Sequence, residues 1–224
     1  MNDTKQKSRN SSRGLDVHGI LALAGIVGPL VLIATDFAAA FSQPGYNFVK
    51  DSISSLALTS LGWIQTIGFL VIGLLVEIFT AGLSLNVNRR RGFGLGIGLL
   101  ALFGFSLLMI GAFRTDPVGG VRTIDGTIHL IASIAVFGLF PIAVLALVSS
   151  LKNDPNWRGM FLYTIITIGL GSALALGRLF LPEKLSWFGL YERIMVVNAV
   201  IWVEVVAIRL LLLSLKRKRE VKGQ

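Results

Sequence analysis

LGWIQTIGFLVIGLLVEIFTAGLSL, residues 61–85, runs straight into Asn86-Val87-Asn88 and Arg89-Arg90-Arg91, and its reading decides the fold. Glu77 is its single ionisable side chain. At 1.5 Å per residue a helix of this length reaches ~37 Å, more than the roughly 30 Å hydrocarbon core of a bilayer. Inside that core every backbone N–H and C=O must be paired within the segment, so the stretch reads as a transmembrane helix.

Five more runs have the same character: Val17 to Phe41, Phe93 to Phe113, Ile128 to Leu151, Met160 to Leu181 and Ile194 to Leu215. The breaks between them are chemical. Gln43-Pro44-Gly45 ends the first run, Asp116-Pro117 the third, Asn153-Asp154-Pro155 the fourth and Pro182 the fifth. The run after the basic first residues is too long for the core of a cleaved signal peptide and lacks a small-residue cleavage site, so it reads as the first span. The fold expected is all-α: an integral membrane bundle of about six transmembrane helices over 17–215, with basic tails at 1–16 and 216–224.

Composition agrees. The chain is 54% apolar and 15% charged, where soluble domains carry roughly a quarter of their residues as charges. Without cysteine there are no disulfides, thiolate nucleophiles or thiolate-held metals. The net charge of +9 lies in segments flanking the apolar runs, where it sets topology and attracts anionic lipid. That leaves no soluble surface to read nucleic acid, and membrane lipids are the expected partners. Fourteen Lys and Arg fall on the side of Lys5, Arg13, Arg89–Arg91, Lys152, Arg158 and Lys216–Arg219. Five fall on the other side: Lys50, Arg114, Arg122, Lys184 and Arg193. The positive-inside rule then places both termini in the cytoplasm, with the plasma membrane as the setting.

Glycines crowd the third span, but no strand precedes them, so they read as packing surface rather than as a nucleotide loop. Gly94 with Gly98, and Gly171 with Ala175, have the four-residue spacing of close helix contacts, within the bundle or between copies of the chain. Pro29 is expected to kink the first helix.

Five ionisable groups fall within spans: Asp36, Glu77, Arg178, Glu204 and Arg209. Such groups face the bundle interior and seek partners. Distance from the span ends pairs Asp36 with Arg178 on the outer half and Glu77 with Arg209 on the inner half. Glu204 is left at the midplane, sharing a face with Arg193.

The outer loops hold the remaining chemistry. Asp125 and His129 are four apart and share a helix face, so a carboxylate there would raise the basicity of the imidazole and fix its tautomer. His129, Asp125 and Asp116 are the acid–base or metal-binding candidates. Arg114, Glu192, Arg193, Asp51 and Ser52 are the ligand-binding ones. A triad of Ser52, His129 and an aspartate is one reading of these residues. In the competing structural reading, Asp125 caps a helix, Asp51 caps a short interfacial helix and Asp116-Pro117 is a turn. With one histidine on this face, a three-histidine zinc site is excluded, and neither a metal nor a cofactor is named by the spacing. Three functions fit: a pocket on the non-cytoplasmic side that binds or processes a lipid headgroup or small polar ligand; a proton-coupled transporter using Glu204 and Glu77; and a non-catalytic scaffold or partner subunit.

Several stretches together resemble a known family. They are Gly25-Ile26-Val27-Gly28-Pro29, Asp51-Ser52-Ile53-Ser54-Ser55-Leu56-Ala57-Leu58, Phe113-Arg114-Thr115-Asp116-Pro117, Gly126 to His129, and Tyr191-Glu192-Arg193-Ile194. The chain resembles the domain-of-unknown-function family 998 of bacterial and archaeal membrane proteins over roughly Gly19 to Leu215. The resemblance implies about six membrane helices and no established activity. Where the family commonly has His-Gly-x-x-His, this chain carries Asp125 in place of the first histidine, which leaves only carboxylate-plus-histidine ligation open.

Overall fold

The computed structural model describes residues 15–181 and 185–222. Lys5, Lys7, Arg9 and Arg13 of the first tail, the stop at Pro182, Lys184, and the last two residues lie outside them. Six long helices make up the bundle: α1 (Val17–Ser42), α2 (Gly62–Asn86), α3 (Phe93–Ala112), α4 (Ile124–Asn153), α5 (Phe161–Arg178) and α6 (Phe188–Lys222). A short 3-10 helix, Ile53–Leu58, precedes α2, and a 3-10 turn, Arg158–Met160, leads into α5. There is no strand among the described residues. All six helices are long and apolar enough to cross a membrane.

Consecutive helices pack on one another, and α6 closes the ring against α1. The interior is a continuous layer that includes Leu32, Phe69, Ile72, Phe79, Leu100, Phe103, Phe140, Trp202 and Leu210. The outward faces carry large apolar side chains such as Leu30, Ile67, Phe105, Ile134, Ile166 and Ile201. Lipid tails are as apolar as these side chains, so association within the bundle depends on close packing rather than on escape from water. The α1–α2 seam shows the device. A Cβ on Gly25 would come within 2.6 Å of both Phe79 and Ala207, so only glycine lets α1 approach that closely. In α3, however, Gly94 and Gly98 face open space, while Gly96 and Gly104 are pressed against Leu147 and Glu77. The glycines that pack α3 within the bundle are therefore not the expected pair. Gly171 does pack, close to Asn198 of α6.

Four helix ends differ from the sequence expectation by three residues or more: α6 runs on to Lys222, seven residues past Leu215, and the others are the start of α4, the end of α5 and the start of α6. α4 begins at Ile124, four residues before Ile128, because Thr123 is its N-cap and accepts from the Gly126 N–H at 3.0 Å. α5 ends at Arg178. α6 begins at Phe188, six residues before Ile194, because two of its first N–H groups find partners in the α1–α2 loop: Gly189 donates to the Lys50 carbonyl at 3.2 Å and Leu190 to that of Val49 at 2.9 Å. This last shift has the largest consequence, since it carries Glu192 and Arg193 from a loop into a helix.

Candidate functional site

The end of the bundle away from the start of α1 is organised by the loop between α1 and the short helix. Gly45, at φ +79, turns the chain. Asn47 then holds the loop through its side-chain oxygen, which accepts from Val49 and Lys50 at 3.0 and 3.1 Å. The Asp51 carboxylate accepts from the Asn47 N–H at 2.8 Å. Ser52, rather than Asp51, caps the short helix, its hydroxyl accepting from the Ser55 N–H at 3.2 Å. Both residues are therefore occupied in shaping the loop.

Arg193 reaches into this loop from α6. Its guanidinium meets Asp36 side-on, Nε to Oδ2 at 3.0 Å and Nη2 to Oδ1 at 2.9 Å. The other N–H groups go to the carbonyls of Phe48, Asp51 and Gly189 and to the Tyr46 hydroxyl at 2.7 Å. The plane stacks 3.7 Å from the centre of the Phe48 ring. Both members of the pair are buried. With every donor used, Arg193 is a structural cation whose anion is Asp36, and it does not hold a ligand's charge. Tyr46 in the loop donates in turn to the carbonyls of Asp51 and Ser52. Burial pushes its hydroxyl up to about 12, against the opposing pull of Arg193.

The expected pairing of Asp36 with Arg178 is thus replaced. Asp36 lies six residues inside the end of α1 and Arg193 five inside the start of α6, about 9 and 8 Å of helix, so the two are level. Arg178, the last residue of α5, donates to the Leu181 carbonyl at 3.2 Å and lies over the Phe188 ring. The expected Glu77–Arg209 pair is also not made. Arg209 donates twice to the Asn156 carbonyl, and Glu77 lies against Gly104. Glu204 is half-buried in α6 near Tyr163 of α5.

The Thr-Asp-Pro turn proves to be a clamp. Asp116 accepts from the Thr123 hydroxyl at 2.7 Å and the Thr123 N–H at 3.1 Å. These bonds hold its carboxyl below the usual carboxylate range. A Cβ at Gly126 would collide with that carboxylate, which accounts for the glycine three residues before His129. Asp125 is exposed in the first turn of α4 and Arg114 is exposed in the preceding loop. The expected Asp125–His129 contact is not made, nor is Asp125 the cap.

His129 is buried, and both ring nitrogens have other partners: Nδ1 lies 2.8 Å from the Phe113 carbonyl oxygen and Nε2 3.0 Å from the Ser54 hydroxyl. The serine brought to the histidine is thus Ser54 of the short helix, not Ser52. Ser54 also borders a cavity of about 30 Å³ together with Ser133 of α4 and Glu192 of α6. The remaining wall is apolar and includes Leu32, Phe69 and Phe103. At ~10–15 Å³ per water the space suits about two waters or one small polar group. Glu192 is held at its rim by accepting the Ile53 N–H at 2.7 Å. On α2, against which the short helix packs, Gln65 is fully buried with neither amide atom hydrogen-bonded. Sequence reasoning missed Ser54, Ser133, Tyr46 and Gln65. The serine run 52–55 was visible, but which hydroxyl meets the histidine is a matter of where the short helix lies.

No group of three or more His, Asp or Glu side chains is placed to hold a metal ion among the described residues. No curated protein and no solved structure matches the chain. The family model described as "Protein of unknown function (DUF998)" matches residues 26–209, which take in α2 to α5 whole, the larger part of α1 and α6, and every residue of the Ser54–His129 and Asp36–Arg193 clusters, and the chain belongs to that family.

Proposed function

We propose that this integral membrane protein receives the polar tip of a small ligand or lipid headgroup in the cavity between Ser54, Ser133 and Glu192. The observation that carries the reading is a carboxylate and two hydroxyls bordering a space in an otherwise apolar interior. Polar groups at membrane depth are costly unless partnered. The space admits a hydroxyl, carbonyl or carboxyl group but not a whole headgroup, so the remainder of the ligand lies outside it. Arg114 and Asp125, exposed at the same end with Lys50 and Arg122, are among the charges placed to meet that remainder. Asp51, Ser52, Asp116 and Arg193 shape and brace the site.

The basic residues around Arg89–Arg91, Arg158 and Lys216–Arg219 gather at the opposite end, beside the start of α1 and the end of α6. By the positive-inside rule this end faces the cytoplasm and the cavity lies in the outer half of the plasma membrane. The test is native mass spectrometry of the gently purified protein. A retained lipid or small molecule that is lost in Glu192→Gln and in Ser133→Ala supports the reading. Equal retention by both variants, or none by the wild type, removes it.

A further inference from the structure

We propose that Ser54 is a nucleophile activated by His129 and that the group entering the cavity is a carboxylic ester; this rests on the cavity being the ligand site. The tautomer makes the case. A carbonyl oxygen has only lone pairs to offer, so the 2.8 Å contact with Phe113 requires the proton to be on Nδ1. With no carboxylate bonded to it, the ring is neutral, and Nε2 presents its lone pair to the Ser54 hydroxyl 3.0 Å away. Ser54 therefore donates its proton to a base whose other nitrogen is held in place, which is the arrangement that turns a weak hydroxyl into a nucleophile. The neighbouring hydroxyls are directed elsewhere: Ser55 donates to the Ser52 carbonyl and Ser133 to that of His129. Ser54 is also the one of these three serines that both touches the imidazole ring and borders the cavity.

In the reaction, the Ser54 oxygen bonds to the ester carbonyl carbon as Nε2 takes its proton. The ester C–O bond breaks, and the departing alcohol carries that proton away from His129. Water repeats the sequence on the acyl-serine, releasing the carboxylic acid and restoring the hydroxyl.

A fluorophosphonate probes the step directly, since Ser54 would form a P–O bond while fluoride leaves with the proton. The full-length protein in detergent would be treated and its adduct located by intact mass and peptide mapping. A single adduct on Ser54 is expected, absent in Ser54→Ala and unchanged in Ser55→Ala. His129→Asn, which keeps a donor for the Phe113 carbonyl but removes the base, should slow labelling at least ~100-fold. Slowing by p-nitrophenyl butyrate would mark a small soluble ester as substrate. Slowing in phosphatidylglycerol nanodiscs, but not in ether-lipid ones, would mark a lipid ester. Should His129→Asn fail to fold, the contrast between Ser54→Ala and Ser55→Ala still decides. No adduct on folded wild type, an adduct elsewhere, or labelling that neither ester slows overturns the proposal. If a ligand that depends on Glu192 is still retained in that case, binding stands and the nucleophile falls.

Discussion

The two ends of the bundle solve the same problem with different chemistry. At the end where α1 starts and α6 finishes, polar side chains close off helices. Asp16 caps α1, accepting from Gly19 at 2.8 Å and from the Ser214 hydroxyl at 2.5 Å. Asn86 lies 2.9 Å from the His18 ring and accepts from Arg217 at 2.6 Å, while its carbonyl accepts from the Trp157 indole. Asp154 accepts from the N–H groups of Asn88 and Asn156. At the opposite end a complete ion pair is buried, and two serines and a carboxylate border a cavity, one of the serines bonded to a buried histidine. The difference is instructive because Asp154, though buried, is met by backbone N–H groups at a helix end, whereas Asp36 and Arg193 take two full charges into the bundle together. The end that buries this pair is where function is to be sought.

The largest effect expected is from Asp36→Ala, which strands the buried Arg193 cation. Removing one partner of such a pair costs about 3–5 kcal/mol, measurable by reversible unfolding in mixed micelles. The double replacement Asp36→Leu with Arg193→Met should recover most of the loss, because buried pairs add little over packed apolar groups. A cost below ~1 kcal/mol for Asp36→Ala would erase the contrast between the ends.

At the other end Asp154→Ala should cost about 2 kcal/mol, since two backbone N–H groups lose an ionised acceptor. A loss as large as that of Asp36→Ala would show the two ends to be equivalent.

Gln65→Leu sharpens the comparison. Removing two unpartnered buried polar atoms should raise stability by about 1 kcal/mol. Loss of stability would show the amide to be structural.

The last effect is absent at neutral pH and emerges only on alkaline titration. The Tyr46 hydroxyl is raised from an ordinary value of 10 to about 12 by burial, so the folded state keeps its proton where the unfolded chain has released it. Its contribution to stability is complete below pH 10 and is lost as pH rises through about 12. Tyr46→Phe should flatten the stability profile in that window, and an unchanged profile would assign the transition to other groups.

Much of the architecture is legible from short-range pattern. Long apolar runs separated by Pro, Asn and Arg clusters specify six membrane helices, because a bilayer admits little else. The Gly-x-x-His and Thr-Asp-Pro motifs could be singled out from sequence, but their division of labour could not. Asp116 serves the turn and Gly126, while His129 turns its back on Asp125 and reaches across to Ser54. Spacing of four on a helix shows which residues share a face, not which way the neighbouring loop brings its own groups.

What the sequence alone determined is the membrane class and the helix count, since both follow from the cost of placing polar groups in hydrocarbon. Tertiary structure alone decided the partners. A six-residue shift in the start of α6, made possible by loop carbonyls that accept its first N–H groups, turned Arg193 from a loop cation into the buried mate of Asp36. Hydrogen bonds formed across 157 and 75 residues of chain, Arg193 to Asp36 and His129 to Ser54, have no local signature, because depth in the bilayer and proximity around the ring are set only when all six helices have packed.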